Sequence, residues 1–542
     1  MTHWIVAPVI LPALLAPIMA MAMRHDLPLQ RTFGLSGQVA LLGIAIWLAG
    51  HAADGTVRIY ELGAWRAPFG IVLVLDRLSA MMLVLTALLG VIVTLYAIGS
   101  KWDRRGWHFH ALFAFQIMGV NGAFLTGDAF NLFVFFEVLL IASYGLMIHS
   151  GGAYRLRAGL QYVVMNLAGS TLFLFALGTL YAVLGTLNMA DMAAKAATLP
   201  TEDSALLAVG AVLLLLVFAV KAAAFPVQFW LPATYASAPA PVAALFAIMT
   251  KVGAYAIIRV YTLVFGAGTP DLNAFIEGLL LPAACLTLAV GAAGVLGAQR
   301  LERMLAFSVL ASMGTLLIAI SIFTPAGLTA ALYYLVHSTF AAAALFLVAD
   351  LIRGAGESGR PHGLAVAFYF AAAIAMAGMP PLTGFLGKIY VLQAVGSETG
   401  GGWLWTLILG SSLVIIVGFT RMGSALFWKT AEDPFRSPPN GAQAIASPAP
   451  LAATAAALPL AVLGLMALAS GPVAGAMENT AQQLADGPGY ITAVLAPETH
   501  ADEGLIRGGG AHGDEGAAGE SAAGEGHSGE SDGDASHGED TD

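Results

Sequence analysis

Five ionisable side chains stand in stretches otherwise fit for lipid: Glu137 in FNLFVFFEVLLIASYG, Lys221 in LLLLVFAVKAAAFP, Lys251 in LFAIMTKVGAYAII, His337 in LYYLVHSTF and Lys388 in MPPLTGFLGKIYVL. A charge at the bilayer centre costs at least about 2.5–3.5 kcal/mol on insertion scales, so ionisable groups at that depth mark ion and proton paths. A carboxylate, amines and an imidazole are the groups a proton relay uses. Burial disfavours the charged form of each, and a neighbouring opposite charge restores it. A Glu137–Lys221 pair at about 4 Å and an effective dielectric of about 20 gains about 4 kcal/mol. Opening or closing that pair would switch the lysine between holding and releasing a proton. The expectation is proton movement along Lys221, Lys251, His337 and Lys388, gated by Glu137–Lys221.

Depth supports the grouping. Glu137 lies about eight residues, roughly 12 Å, into its apolar stretch; Lys251 lies about twelve residues, roughly 18 Å, past Pro239; His337 lies about nine residues past the start of its own. Competing roles exist for each. Glu137 and Lys221 could form a static lock between helices, although buried pairs stabilise poorly compared with apolar residues. Lys251 and Lys388 could snorkel to an interface. His337, followed by Ser338 and Thr339, could be a core histidine satisfied by hydroxyls. Arg259 and Asp76–Arg77 read as interfacial or local pairs. Asn166, Ser170, Thr171, Ser411 and Ser412 read as interhelical glue able to support a water chain, and Gly291, Gly294 and Gly297 as small residues that let helices approach.

The elements that must position these groups follow from composition. Of 542 residues 58% are hydrophobic and only 10% charged, against about 25% charged in ordinary soluble proteins. Apolar runs of about 20 residues are long enough to cross a hydrocarbon core. Fourteen are expected, near 4–23, 32–50, 70–99, 109–126, 129–148, 160–184, 205–225, 240–265, 276–297, 304–323, 328–350, 363–395, 404–428 and 451–470. With both termini outside, the cytoplasmic segments hold Arg24, Arg31, Lys101, Arg104, Arg105, Arg155, Arg157, Arg300, Arg303, Arg353, Arg360, Arg421, Lys429 and Arg436. The outer loops keep only Arg58, Arg66 and Lys195, which satisfies the positive-inside rule. The first span lacks a preceding basic region and reads as retained rather than as a cleaved signal peptide. Cys285 is the only cysteine, which excludes disulfides and cysteine-ligated zinc or iron–sulfur clusters within the chain. No phosphate loop, haem motif or nucleotide motif is present, so no cofactor is expected.

Two spans carry helix breaks. The seventh meets Pro226 and Pro232 after Lys221; the twelfth meets Pro380, Pro381 and Gly384 before Lys388. Proline in a helix removes a hydrogen bond and frees carbonyls, tolerated at membrane depth only where protein or a wet cavity satisfies them. The breaks are five spans apart, an odd number, so the surrounding five-helix sets would have opposite orientations, as in inverted repeats with the coupling site at discontinuous helices. The fold class expected is an all-α polytopic membrane protein of about fourteen helices, two inverted repeats and broken seventh and twelfth helices. Its units would be residues 1–108 (three helices), 109–265 (helices four to eight), 266–428 (helices nine to thirteen), 429–497 (a cytoplasmic loop, the fourteenth helix and a loosely apolar segment) and 498–542, an acidic Gly- and His-containing tail. Low hydrophobicity and abundant acid make that tail disordered. Its His500, His512, His527 and His537 could bind metal weakly, and its acids could gather cations at an entry.

FNLFVFFEVLLIASYGL, YVVMNLAGSTLFL, KAAAFPVQFWLPATYASAPAPVAALFAIMTKVGAYAIIRV and GMPPLTGFLGK together closely resemble the D-type component of the multisubunit Mrp (Pha/Mnh) monovalent cation/proton antiporter. That family belongs with the antiporter-like proton-channel subunits of respiratory complex I. The resemblance, over about residues 70–430, implies Glu137 and Lys221 as the fifth- and seventh-helix pair. It also implies Lys251 as the central lysine, Lys388 as the terminal one, and His337 at an eleventh-helix polar position. The lysine after GMPP argues against the M-type subunit of complex I, which carries glutamate there. Where relatives often read like DLKRLLAYS this chain has RLERMLAFS at 300–308, replacing a cytoplasmic acid by Arg300. The resemblance implies a transporter subunit rather than an enzyme. It would sit in a bacterial inner membrane, work with other subunits of a hetero-oligomer, carry protons and Na+ or K+, and bind no nucleic acid. The alternative is a proton-pumping membrane subunit of a complex I-type oxidoreductase or membrane-bound hydrogenase.

Overall fold

A computed structural model describes residues 2–200, 204–356, 363–396, 401–428 and 449–495. The acidic tail with its four histidines lies outside them, as do Arg360, Lys429 and Arg436. Without water to solvate a backbone, a chain this apolar must pair its amides internally, and helices do so. Nineteen α-helices are described. The N-terminal group comprises α1 (Ala7–Met21), α2 (Leu27–Ala52), α3 (Arg77–Gly99) and α4 (Phe109–Leu125). Next come α5 (Ala129–Met147), α6 (Ala153–Leu184), the short α7 (Met189–Ala196), α8 (Ser204–Ala222), the short α9 (Trp230–Ser237) and α10 (Ala240–Leu263). Then follow α11 (Pro270–Gly297), α12 (Leu301–Ser321), α13 (Pro325–Gly356), α14 (Gly363–Ala377), α15 (Thr383–Gly396) and α16 (Gly402–Phe427). The last are α17 (Pro450–Leu468), α18 (Ser470–Ala485) and α19 (Gly487–Leu495). Among the described residues, twelve helices are long and apolar enough to span a membrane; α4 and α14 are apolar but shorter.

The third expected span starts later than its hydropathy suggests. Residues Val72–Leu75 form a buried strand, β2, paired antiparallel with β1 (Arg58–Glu61). The helix begins only at Arg77 because Asp76 and Ser79 form a reciprocal capping box, which satisfies two of its free amides and fixes the start. The loosely apolar segment after α17 is helical too, as α18 and α19.

Two helices are buried most completely. In α10 every residue but Thr262 is buried, and α12 is buried along nearly all its length. Helix α10 closes on α8 because Gly253 has no side chain: a Cβ there would lie 2.6 Å from the Ala222 amide nitrogen. Likewise α11 closes on α12 at Gly291, against Ala311, and at Gly294, against Phe307, whereas Gly297 faces open space. Small residues thus set the helix spacing at two of the three expected glycines.

The breaks after α8 and α14 follow one backbone path. Ala224 N–H donates to Ala219 O (2.8 Å) and Ala223 N–H to Val220 O (3.2 Å); Met379 N–H donates to Ile374 O (3.0 Å) and Gly378 N–H to Ala375 O (3.1 Å). Each is a Schellman turn, with its left-handed residue at Ala223 (φ +54) and Gly378 (φ +77) and a cis X–Pro bond at Pro226 and Pro381.

At the end of the bundle that carries the 100–108 loop, Asp103 accepts from Arg31 Nε (2.6 Å) and Nη2 (2.8 Å) and faces His110 Nε2 at 3.3 Å. Burial alone would push this carboxyl up, but His110 and Arg31 hold it below the usual carboxylate range. Trp102 ties this loop to two distant helices. Its indole donates to Asp350 Oδ2 on α13 (2.8 Å), and its carbonyl faces His149 Nε2 (3.0 Å) at the end of α5. Glu302 lies 3.5 Å from Arg353 and 4.0 Å from Arg300, so Arg300 has an acidic neighbour on its own chain segment.

Candidate functional site

All five ionisable groups lie on a succession of helices that pack together, and their surroundings differ from one to the next. Glu137, half-buried on α5, accepts a short hydrogen bond from Ser170 Oγ. Lys221, in the last turn of α8, donates from Nζ to Asn166 Oδ1 at 3.1 Å and lies 5.8 Å from the Phe136 ring centroid. Among the described residues no salt bridge joins Glu137 to Lys221, so the direct pair expected from the sequence is not formed. The reason is α6. Tyr162, Asn166 and Ser170 recur every fourth residue on that helix and therefore share one face. The stripe lies between the two charges and gives each a neutral partner. Tyr162 anchors it, with its hydroxyl 2.8 Å from Ser143 Oγ and its carbonyl accepting from Asn166 Nδ2 (2.8 Å).

Lys388 is held by the break itself. Its Nζ donates to Ala377 O, the last carbonyl of α14, at 2.8 Å, and to Ser412 Oγ on α16 at 2.7 Å. Proline-freed carbonyls need a donor, and the lysine is that donor. Gly378 makes this possible twice over: its φ of +77 suits glycine, and a Cβ would lie 2.7 Å from Lys388 Cδ. At the other break the Trp230 indole donates to Val220 O at 3.0 Å, a carbonyl that also accepts from the Ala223 amide. Lys221 stands in the last turn of α8, and the Lys388 ammonium reaches the last carbonyl of α14, so both cations meet the C-terminal end of a helix, where the dipole is negative and a cation is favoured.

Lys251 has no such support. It is fully buried in the middle of unbroken α10, and its Nζ finds no hydrogen-bond partner among the described residues. Since α10 is buried along its length, the snorkelling role for this lysine is closed. His337, also fully buried, pairs its Nδ1 with Thr383 Oγ1 at 2.9 Å, while Nε2 finds no partner among the described residues. The hydroxyl on His337 is thus not its neighbours': Ser338 and Thr339 donate to Leu335 O on their own helix. The imidazole lies within electrostatic reach of both Lys388 and Lys251, and Gly384 leaves it room, since a Cβ there would sit 3.0 Å from its Cε1 and Nε2.

The sequence misjudged three further groups. Ser412 and the α6 pair Asn166 and Ser170 are partners of the charges rather than generic glue; for the α6 pair, the four-residue spacing from Tyr162 was the available signal. Arg259 and Asp76 are neither interfacial nor local. They form a buried bidentate pair across α10 and the cap of α3, at 2.5 and 2.9 Å, with Tyr255 and Tyr490 each about 5.5 Å from the guanidinium. Among the described residues no group of three or more His, Cys, Asp or Glu gathers as a metal site.

Comparison with known proteins agrees with this architecture. The family model described as NADH:quinone oxidoreductase/Mrp antiporter, transmembrane region, matches residues 126–417, which contain all five groups. The chain is 38% identical over 473 residues to the D-type component of a probable K(+)/H(+) antiporter of Rhizobium meliloti, covering 79% of this chain and 88% of that one. It is 35% identical over 506 residues to the D-type component of the Na(+)/H(+) antiporter of Bacillus subtilis, covering 91% and 100%. A chain in the structure of the Mrp complex from Dietzia sp. DQ12-45-1b superposes with a TM-score of 0.80 at 28% identity, covering 91% of this chain and all of that one.

Proposed function

Because the chain belongs to the NADH:quinone oxidoreductase/Mrp antiporter membrane family, we propose that it is the proton-conducting D-type subunit of a multisubunit Na+(K+)/H+ antiporter. It works as a transporter component in a hetero-oligomer, exporting a monovalent cation in exchange for protons. Its place is the bacterial inner membrane, with both termini outside; the basic loops at the Arg24, Arg104 and Arg300 end support that orientation. The five units expected from the sequence serve as the working division, with helices α4–α10 and α11–α16 as the two repeats.

The observation that carries the reading is the succession of buried groups. Glu137 and Lys221 meet across the α6 stripe, Lys251 follows on the adjoining α10, His337 stands within reach of Lys251 and Lys388, and Lys388 ends the row at Ser412. The protein moves a proton between these groups by exchanging partners. When Lys221 leaves Asn166 and meets Glu137, the ion pair keeps its proton; when α6 intervenes, the lysine hands the proton toward Lys251. Within this row, Lys251 Nζ and His337 Nε2 have no hydrogen-bond partner among the described residues, and these are the ends that water joins. Neutral amide and hydroxyl partners suit this work, since they hold either protonation state without trapping the charge.

The test uses inverted vesicles containing the whole complex. Added Na+ or K+ should collapse an imposed pH gradient, and Lys221→Ala or Glu137→Ala with normal assembly should abolish the collapse. Undiminished exchange in either variant rejects the relay. Flavin or iron–sulfur absorbance in the purified complex would instead mark a redox-driven pump.

A further inference from the structure

Beyond the relay, a cavity of about 350 Å³ opens where α1 and α2 meet the loop between α3 and α4, lined by Arg24, His25, Gln30, Arg104, Arg105 and His108 among others. That is far more than the about 10–15 Å³ that holds one water. Its charge is one-sided. Among the described residues the only lining carboxylate, Asp103, is already taken by Arg31 and His110, and Asp26 is spent on the cap of α2 through the Leu29 amide. Arg24 and Arg104 form no ion pair among the described residues, and Arg105 stands over the Trp102 ring at 4.0 Å. His108, in the left-handed region at φ +63, keeps a buried Nδ1 without a hydrogen-bond partner. Guanidiniums that line an open cavity suit a phosphate, which arginine binds in bidentate fashion.

We propose that this cavity binds the phosphate of an anionic phospholipid headgroup. The surroundings select a lipid over free phosphate. The cavity sits at the level where the apolar helices end, and Trp107 at its rim is 66% exposed, as aromatic residues at a membrane interface are. Met21 at the end of α1 and Leu29 and Phe33 in the first turns of α2, all exposed, offer acyl chains an apolar track. Basic pockets between transmembrane helices on one leaflet are a known way of holding anionic headgroups. Here the lipid would clamp α1 and α2 to the loop that carries Trp102, and so to α13.

The purified whole complex is titrated with phosphatidylglycerol, phosphatidylcholine or inorganic phosphate and bound molecules are counted by native mass spectrometry. Phosphatidylglycerol should be retained selectively. Arg24→Ala with Arg104→Ala should weaken its retention about thirtyfold, the change corresponding to about 1 kcal/mol per arginine. Arg24→Lys with Arg104→Lys, which keeps the charge but loses the bidentate fork, should restore only part of it and controls for folding. Equal retention of the two lipids, retention unaffected by the double alanine variant, or phosphate binding without lipid binding overturns the proposal. So does a complex in which no lipid enters because another subunit fills the cavity.

Discussion

Asn166 and Ser170 stand one turn apart on the same face of α6, and each holds one member of a charged couple that the sequence would have paired directly: Asn166 takes Lys221 and Ser170 takes Glu137. Four residues of helix rise about 6 Å, so α6 staggers the two charges along the bundle. A carboxylate and an ammonium kept apart by neutral partners form a couple that a small movement of α6 can close.

Asn166 should therefore matter more than a structural amide does. Replacing it with Leu leaves the Lys221 ammonium without its acceptor, at a cost of about 1–3 kcal/mol. Exchange in vesicles should slow about tenfold and its pH profile should move, while Asn166→Asp, which restores an acceptor, should move the profile in the opposite direction. An unchanged profile in both variants would leave α6 a spacer only.

The twin breaks predict opposite outcomes for opposite exchanges of alanine and glycine at the left-handed position. Ala223 holds a left-handed conformation at φ +54 that costs an L-residue about 1–2 kcal/mol. Ala223→Gly should raise the thermal midpoint of the complex, less the about 0.5–1 kcal/mol of added chain entropy. Gly378→Ala should lower it and reduce exchange, because φ is +77 there and the new Cβ would press on Lys388.

Arg259 and Asp76 are a buried bidentate pair, so removing one partner leaves the other charge uncompensated. Arg259→Met or Asp76→Leu alone should cost about 3–5 kcal/mol, and the double variant markedly less. A double-mutant cycle on thermal midpoints of the assembled complex measures this; additive losses would contradict the pairing.

The Trp102 loop should loosen in acid. Burial holds His149 below the ordinary imidazole value of 6.5, so the unfolded chain binds a proton there that the folded chain resists. Where the unfolded state binds more protons, stability falls as the pH falls. From about pH 6.5 downward the complex should lose stability until the pH reaches the folded value. His149→Gln, which keeps a donor for the Trp102 carbonyl but does not titrate, should flatten that slope.

The sequence by itself determined that the chain crosses a membrane many times, where the helices break and which ionisable groups lie deep, because these follow from hydropathy, proline chemistry and residues counted along one chain. Tertiary structure alone decided what each charge touches. Glu137 and Lys221 are separated by a face of α6; Lys388 takes its freed carbonyl from the helix before it; and Arg259 finds Asp76, 183 positions away. Even the start of α3 was moved by pairing, since Val72–Leu75 joined a strand instead of the span. The physical reason is range. Burial and helix formation are local costs, legible in about 20 residues, whereas a hydrogen bond or ion pair depends on which distant helix face arrives opposite, and packing alone selects that face.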